Sequence, residues 1–380
     1  MKRILCVSTY GDFFWVFEQK YLKMLIEKKY EIVIAANCNV TKNNMHLDEM
    51  RKWGVKIVNI PYPRKPSEGN ILKSYIETRN LIKVYKPDIV DVHLSVVGAI
   101  CRVACLGFNE IKVIYSPHGF FFYKGAPLLN NILYKFTEYL LSYVTDYIIT
   151  INEEDYKNAL KMKVRGKVFY LPGVGVDVEK IKRICVSNNN IRTELKLKDD
   201  DFIFLSVGEL NINKNHQIVI RALHLLKELG YENIKYIICG DNTSELDTLK
   251  ILAKQCEVEQ DVYFLGYRND IHKIDKVVDV FILPSFKEGL SVSIIEAMAS
   301  GLPVIASDIR GNRDLIKHSK GGFLFNPEDC NELAQYMKRL IEDKKLLDEM
   351  SMYNTKQSTK YSIENVINEM EKIITEVESK

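Results

Sequence analysis

The chain has 380 residues, of which 47% are hydrophobic, and its 53 basic and 50 acidic residues leave a net charge of +3 at pH 7. This length favours two domains, and the apolar content is sufficient to fill the core of each. The balanced charge argues against a general nucleic-acid binder, and the sequence lacks the run of about 18 apolar residues that a membrane-spanning helix requires.

The cysteines and the first residues both favour a cytoplasmic protein. The eight cysteines form no C-x-x-C pair, and such a pattern is typical of free thiols buried in a reducing compartment. The chain starts with basic residues, but Ser8, Thr9, Gly11 and Asp12 interrupt the apolar run that follows them. We therefore predict a first strand rather than a signal peptide.

The first half of the chain alternates strand and helix patterns. The apolar runs predict strands over 3–8, 31–36, 54–60, 89–93, 112–116, 146–151 and 167–171, with helices between them. This alternation predicts a doubly wound α/β domain with a parallel sheet. The turn after the first strand holds only one glycine, Gly11, where a dinucleotide-binding fold needs three, so a nicotinamide cofactor is disfavoured.

Two features of this half are candidates for function. His118 follows the strand 112–116 and precedes a glycine, a position that points into the ligand crevice of a parallel sheet. The aromatic run 120–123 leads into the apolar, lysine-bearing segment 130–144. If these side chains are exposed, they form a patch able to enter a lipid interface; if they are buried, they are packing. We favour membrane contact, because the segment 61–65 is also basic.

The second half opens after the glycine-rich hinge 172–177 and the asparagine-rich segment 187–190. Strands are predicted over 201–210, 236–241, 262–270 and 281–284, and a helix near 214–216. We expect an N-terminal domain over 1–172, a C-terminal domain over 173–355, and a final helix over 356–380.

The stretch 281–308 predicts a strand, a tight loop, a helix and a second strand. The helix starts near Ser291, carries Val292, Ile295 and Met298 on one apolar stripe, and ends at Gly301. The amides of 289–292 would lie at a helix N-terminus, which is a site for a phosphate or diphosphate.

Two glutamates flank this predicted anion site. Glu288 precedes the helix and Glu296 lies inside it, so one carboxylate can face a ligand above the loop while the other reaches hydroxyls beside the helix. Either residue taken alone could also be an ordinary solvated glutamate.

The whole string, S-F-x-E-G-L-x-x-x-x-x-E-A-M-A-x-G-x-P-V-I-A-S, resembles the retaining glycosyltransferases of family 4. The resemblance implies the α/β fold called GT-B, in which two doubly wound Rossmann-like domains face each other across a cleft. It implies that Glu288 lies near the donor sugar and that Glu296 binds the ribose. The diphosphate would then be bound by the amides of Gly289, Leu290, Ser291 and Val292.

The resemblance assigns further residues to each domain. In the donor-binding C-terminal domain, it implies roles for Gly208, Lys214 and Gly240, and for Tyr267 and Arg268 where the family holds the base. The family has an arginine after the first of these glycines, but this chain has Glu209, so Arg268 is a candidate substitute cation. In the acceptor-binding N-terminal domain, it implies that Gly11, Asp12, Phe13 and His118 line the acceptor side and that His118 also acts in catalysis, near the reacting carbon of the donor sugar.

The segment H-G-F-x-F-Y-K-G-A-P, residues 118–127, resembles the capsular and exopolysaccharide branch of the family. The resemblance implies transfer of a sugar from a nucleotide-sugar, with UDP preferred, to a polyprenyl-linked saccharide by a protein peripheral to the inner face of the membrane. No D-x-D motif stands where a metal-bridged donor site would need one, so we expect no metal and no cofactor besides the UDP-sugar co-substrate.

Two alternatives remain open from the sequence. One is a catalytically silent subunit that binds a sugar nucleotide, which Glu209 favours. The other is a non-hydrolysing UDP-sugar epimerase of similar shape. The combination of His118, Lys214, Glu288 and Glu296 favours the transferase over both.

Overall fold

The computed structural model describes residues 2–41, 43–185, 189–241 and 243–379. The chain divides into two compact units. The first comprises the residues up to Val174 together with those from Ile363, and the second runs from Gly175 to Ser362. Residues 187 and 188 of the asparagine-rich segment lie outside the described residues.

The first unit is a seven-stranded parallel sheet covered by helices. Its strands are β1 (Arg3–Tyr10), β2 (Glu31–Asn37), β3 (Lys56–Asn59), β4 (Ile89–His93), β5 (Lys112–Ser116), β6 (Tyr147–Thr150) and β7 (Lys167–Tyr170). Its helices are α1 (Phe13–Phe17), α2 (Gln19–Glu27), α3 (Asn44–Lys52), α4 (Ile71–Tyr85), α5 (Ser95–Ala104), α6 (Leu128–Ser142), α7 (Glu153–Ala159) and, at the end of the chain, α17 (Ile363–Ser379).

The strand order of this sheet is β3-β2-β1-β4-β5-β6-β7. Alternate residues of β1 enter two separate cores, since side chains along a strand point to opposite faces. Ile4 and Cys6 belong to one core cluster, whereas Leu5 and Val7 belong to the other. Burial on both faces explains why β1 is mostly apolar, whereas the edge strands β3 and β7 are partly exposed and each begins with a lysine.

The last helix packs on the first unit. Its apolar stripe, which includes Val366, Met370 and Ile374, joins the core cluster that also contains Tyr21 and Leu22 of α2. The helix begins at Ile363 rather than at the expected residue 356, because residues 344–358 form a separate helix of the second unit.

The second unit is a six-stranded parallel sheet. Its strands are β8 (Phe202–Val207), β9 (Ile234–Cys239), β10 (Val262–Gly266), β11 (Val280–Leu283), β12 (Val304–Ser307) and β13 (Gly322–Phe325). Its helices are α8 (Val178–Arg183), α9 (Asn189–Glu194), α10 (His216–Glu228), α11 (Glu245–Gln255), α12 (Ile271–Ile274), α13 (Val292–Ser300), α14 (Asn312–Leu315), α15 (Cys330–Glu342) and α16 (Lys344–Ser358).

The strand order of the second sheet is β10-β9-β8-β11-β12-β13. Each sheet therefore reverses its winding direction at one place, between β1 and β4 in the first unit and between β8 and β11 in the second. Ligands of open α/β sheets bind at the carboxyl ends of the strands beside such a switch point. The loops that leave these four strands are thus the first places to look for a site.

Several local predictions needed correction. The helix expected between the first two strands is two helices, α1 and α2. In the stripe of α13, Val292 is only partly buried, and Ile294 is fully buried beside Ile295 and Met298. Of the cysteines, Cys185 is exposed.

The aromatic run 120–123 is also divided between core and surface. Phe120 and Phe122 are buried and their rings stack with centroids 4.8 Å apart, whereas Phe121 and Tyr123 are only partly buried. The continuous exposed aromatic patch that we considered for membrane contact is therefore absent from this run.

Candidate functional site

The switch point of the second unit brings together a cation and a carboxylate. Lys214 follows β8 and Glu288 follows β11, and Lys214 Nζ lies 2.7 Å from Glu288 Oε1. Both side chains are mostly buried, with less than a fifth of their surface exposed. A mostly buried ion pair at the carboxyl end of the sheet is a suitable place to receive a charged ligand.

Hydrogen bonds between the two loops hold this pair in place. The Asn213 side chain donates to the Lys287 carbonyl at 3.0 Å, and the Phe286 amide donates to the Asn213 carbonyl at 2.8 Å. The Asn215 side chain donates to the Pro284 carbonyl at 3.2 Å. Two contacts of Asn213 and one of Asn215, the residues on either side of Lys214, therefore fix the loop after β8 against the loop after β11.

The two predicted glycines of this region make room for the loop that carries Lys214. A Cβ atom on Gly208 would lie 3.0 Å from the Cε atom of Lys214. A Cβ atom on Gly240 would lie 1.8 Å from the carbonyl oxygen of Gly208, so a side chain there is sterically excluded. The absence of a side chain at Gly240 thus allows the backbone of Gly208, at the start of the Lys214 loop, to pack directly against it.

The N-terminus of α13 faces the same loop. Ser291 is the N-cap residue, and its hydroxyl accepts a hydrogen bond from the Ile294 amide at 3.3 Å. The other amides of a first helical turn have no partner within the helix, and the helix dipole adds a partial positive charge there. This helix N-terminus follows Glu288, the partner of Lys214, closely in the chain, so the amides of Gly289, Leu290, Ser291 and Val292 remain the candidate donors to a phosphate group.

Glu296 lies on α13 beside a histidine that the sequence analysis did not single out. Its Oε1 atom is 3.9 Å from Nε2 of His272, and about a quarter of its side chain is exposed. Burial raises the pKa of Glu296 to about 7, with His272 lowering it and Asp275 raising it further. Asp275, whose Oδ2 atom lies 3.7 Å from Nδ1 of His272, raises the pKa of His272 against the opposing effect of burial. Glu296 therefore changes its charge close to neutral pH.

Tyr267 and Arg268 lie on the loop after β10. Tyr267 is three-quarters exposed, which leaves its ring available to stack on a flat ligand. The guanidinium of Arg268 makes two hydrogen bonds of 2.8 Å to Asp270 and a third of 2.8 Å to Glu194. Two carboxylates and three hydrogen bonds already hold Arg268, against the single carboxylate paired with Lys214, so Arg268 is a poor substitute for the missing phosphate-binding arginine.

Arg310 is the cation at this site that the sequence analysis overlooked. It follows β12, is 5% exposed, and its Nε atom donates to the Glu288 carbonyl at 3.3 Å. Next to it, a Cβ atom on Gly311 would lie 2.2 Å from the Gly289 carbonyl oxygen. A basic residue just after the neighbouring parallel strand was the available signal, since neighbouring strands end at the same edge of the sheet.

Glu209 is exposed, and its carboxylate accepts a hydrogen bond from Asn211 at 3.3 Å. It does not displace the Lys214–Glu288 pair. Glu209, the residue that favoured a silent subunit, therefore leaves the contact between Lys214 and Glu288 in place.

The switch point of the first unit holds a second cluster, centred on His118. This residue follows β5 with a positive φ of 52°, and its Nε2 atom lies 2.8 Å from Nδ1 of His93. The other ring nitrogen of His93 lies 3.2 Å from Oδ2 of Asp91. Glu18 Oε1 lies 3.8 Å from each imidazole. Asp91, His93 and His118 thus form a chain of polar contacts that leads from β4 to the loop after β5.

The charges in this cluster differ between the two histidines. Burial opposes ionisation of His93, but the charge and hydrogen bond of Asp91, with Glu18, raise its pKa above the ordinary value. Burial, followed by the neighbouring His93, lowers the pKa of His118 well below its ordinary value. Burial raises the pKa of Glu18 to about 7. A protonated His93 donates to His118 Nε2, which leaves the proton of neutral His118 on Nδ1.

The same cluster has the composition of a metal site. Glu18, His93 and His118 place their ligand atoms within 4.8 Å of one another. Two imidazoles and a carboxylate are ligands that zinc accepts. The distance of 2.8 Å between His93 Nδ1 and His118 Nε2 is equally suited to a hydrogen bond between the two imidazoles, which requires no metal.

Of the acceptor residues predicted in the turn after β1, Phe13 packs against this cluster, whereas Gly11 and Asp12 contact the segment that precedes α3 and α3 itself. Phe13 is buried, with its ring centroid 5.2 Å from that of His93 and 5.3 Å from that of His118. Asp12 is also buried, and its carboxylate lies 3.4 Å from His46 Nδ1. A Cβ atom on Gly11 would lie 2.3 Å from the Thr41 hydroxyl oxygen. These three residues shape the turn after β1, and Phe13 supports the imidazoles rather than presenting an open ring.

Comparisons with known proteins match a glycosyltransferase family model to each half of the chain. The family model described as "Glycosyltransferase Family 4" matches residues 20–180, and the model "Glycosyl transferases group 1" matches residues 187–357. The putative glycosyltransferase EpsD of Bacillus subtilis is 32% identical over 97% of this chain and 95% of its own length.

A second relative, from Escherichia coli, is named UDP-Gal:alpha-D-GlcNAc-diphosphoundecaprenol alpha-1,3-galactosyltransferase. It is 31% identical over 72% of each chain. Among solved structures, HepE of Anabaena in complex with UDP superposes with a TM-score of 0.79 at 17% identity, covering 99% of this chain and 100% of HepE. That likeness confirms the predicted GT-B fold class. The identity and coverage of the EpsD match show that the chain belongs to glycosyltransferase family 4.

Proposed function

We propose that this glycosyltransferase moves a sugar, with retention of configuration, from a UDP-sugar to a polyprenyl-diphosphate-linked saccharide during capsule or exopolysaccharide assembly. The observation that carries the proposal is the Lys214–Glu288 pair beside the N-terminus of α13. The names of the relatives support both substrates, since one transfers galactose from UDP-Gal to a diphosphoundecaprenol-linked sugar and HepE holds UDP.

In this proposal the second unit binds the donor. The amides before α13 and the ammonium group of Lys214 stabilise the charge that develops on the departing diphosphate. Arg310 holds the backbone of the Glu288 loop, and Glu296 accepts hydrogen bonds from the ribose hydroxyls. The departing phosphate takes the proton of the attacking acceptor hydroxyl, so the reaction requires neither a protein nucleophile nor a metal.

His118 acts at the sugar. With its proton on Nδ1, a neutral imidazole can donate a hydrogen bond to a sugar hydroxyl without adding a charge that would compete for the diphosphate. Asp91 and His93 are positioning residues, because Asp91 contacts His93 and His93 in turn donates to Nε2 of His118, which fixes the tautomer of His118. Their role is to keep the donating nitrogen aimed at the substrate.

The first unit contacts the membrane through α6 in this proposal. The structure contains no described helix that is long and apolar enough to cross a membrane. The helix α6 nevertheless exposes large apolar side chains, among them Leu129 at 81% and Phe136 at 60%, while its buried residues are Glu138 and Ser142. An exposed apolar face of this size is typical of a surface that enters the lipid interface.

A transfer assay tests the proposal. Purified protein is incubated with each of several radiolabelled UDP-sugars and an undecaprenyl-diphosphate-linked saccharide in detergent, and lipid-soluble product is measured. We expect transfer from one UDP-sugar, at least ~10²-fold slower in Lys214→Met because the diphosphate loses a preorganised charge. The variant Lys273→Met, which removes a lysine of α12, is the matched control. Interconversion of the UDP-sugar without an acceptor would instead identify an epimerase.

A further inference from the structure

An apolar groove of about 820 Å³ lies between α4, α5 and α6 of the first unit. Its walls include Leu72 of α4, Val96 and Ala99 of α5, and Leu133 of α6. That volume is within the range of about 300–1,000 Å³ that is usual for sites of small organic ligands. None of the residues to which we assign a part in donor binding or catalysis lines it.

A buried polar contact holds the groove open by fixing the rotation of α6. Arg102 of α5 is fully buried and donates to Glu138 of α6 at 2.7 Å, and the hydroxyl of Tyr115 donates to the same carboxylate at 2.8 Å. The guanidinium of Arg102 also lies over the Tyr115 ring, 3.8 Å from its centroid. With the polar side of α6 turned inward, its apolar side chains line the groove and continue onto the exposed face of the helix.

The inner end of the groove lies at the catalytic edge of the sheet. Ser95, at the start of α5, lines the groove and comes shortly after His93 at the end of β4. Phe121 also lines it and comes shortly after His118. A ligand lying in the groove would therefore extend from the exposed face of α6 towards the end of β4, where His93 lies, and the loop after β5 that carries His118.

The segment before α4 adds positive charge at this edge. The groove is also lined by Pro66, which follows the exposed residues Arg64 and Lys65. The guanidinium of Arg64 lies 5.1 Å from the ring centroid of Tyr10, at the carboxyl end of β1. An anionic group that leaves the groove at this edge thus meets a cation.

We propose that the groove binds the first isoprene units of the acceptor's polyprenyl chain, so that its diphosphate and saccharide lie beside His118. This inference rests on the proposed function and names the subsite for the lipid. A branched hydrocarbon joined to a diphosphate matches the apolar walls, the basic segment before α4 and the continuity with the α6 face that we place on the membrane.

Photo-crosslinking tests the groove without requiring activity. A prenyl diphosphate that carries a benzophenone on its chain is irradiated with the full-length protein in detergent, and labelled peptides are identified by mass spectrometry. We expect label on α5 or α6, reduced about tenfold by Ala99→Phe, which fills the groove and costs at least ~1.4 kcal/mol of binding. Leu133→Ser is the second groove variant, because this side chain is exposed and its replacement does not threaten folding.

Leu129→Glu is the matched control, since Leu129 lies on the exposed face of α6 but does not line the groove. It should weaken binding to anionic lipid vesicles while leaving the labelling in detergent unchanged. Label elsewhere on the chain, or equal labelling of both groove variants and the wild type, would overturn the proposed subsite. Label in the groove without sugar transfer from any donor would keep the subsite and remove the proposed function.

Discussion

The affinity of the protein for UDP should depend on pH through Glu296. Burial raises the pKa of this carboxyl to about 7, and only its ionised form accepts hydrogen bonds from two ribose hydroxyls with full strength. The ionised form increases as the pH rises, so affinity rises with pH. For a group of pKa about 7, roughly a tenth is ionised at pH 6 and nine-tenths at pH 8, which predicts an affinity about tenfold higher at pH 8.

Calorimetric titration of UDP at several values between pH 6 and pH 8 measures this change. The variant Glu296→Gln should bind UDP more weakly at pH 8 and should lose the tenfold dependence. Because the phosphates of UDP titrate identically in both experiments, the difference between the two proteins isolates the carboxyl. In His272→Gln the midpoint should move to higher pH, since protonated His272 lowers the pKa of Glu296. The same pH profile in the wild type and Glu296→Gln would refute the assignment of Glu296.

Three further predictions concern the other contacts. Lys214→Arg should retain more kcat than Lys214→Met, because it keeps the charge; equal activities of the two would show that the charge is not used. Asp91→Asn should lower kcat about tenfold or more, change the pH profile of kcat and leave KM for the UDP-sugar unchanged, because it removes the charge that favours protonated His93 and so no longer fixes the tautomer of His118; a rise in KM alone would contradict a positioning role. Arg102→Met should lower the free energy of unfolding in urea by about 3–5 kcal/mol, because it leaves Glu138 charged and buried. The double variant Arg102→Met/Glu138→Gln should recover part of that loss. Additive losses of the two substitutions would contradict the coupling between the two residues.

The βαβ unit of the donor site could be predicted from the sequence because its signals are local. The apolar run of β11, the cap at Ser291, the stop at Gly301 and the apolar run of β12 all lie within one short stretch. Glu288 could be singled out for the same reason, because it stands directly before the helix that starts near Ser291, whereas Lys214 was assigned through the family resemblance.

The partners of these residues could not be predicted in this way. His272 reaches Glu296 from α12, and Arg310 reaches the Glu288 loop from the end of β12. The His272 contact depends on how α12 packs beside α13, which no local pattern encodes. The signal for Arg310 was its place after β12, and it indicates a contact only once β12 is known to pair with β11. His93 joins His118 for a similar reason, because β4 and β5 are neighbouring parallel strands.

The orientation of α6 was hidden for a different reason. A glutamate in a helix is expected on the solvent side, because charged side chains are rarely buried. In this helix Glu138 is turned inward, where it pairs with the buried Arg102 of α5. Only the position of its partner on another helix determines which face of α6 is exposed.

Titration of UDP, GDP and ADP into the purified protein and into Lys214→Met tests the central claim most directly, namely that the loops after β8 and β11 form a nucleotide-sugar site. The account predicts that UDP binds the wild type more tightly than GDP or ADP and that Lys214→Met weakens this binding about tenfold or more, through loss of a charge-assisted contact to the diphosphate. Binding of no nucleotide, or equal binding of UDP by the wild type and Lys214→Met, would contradict it.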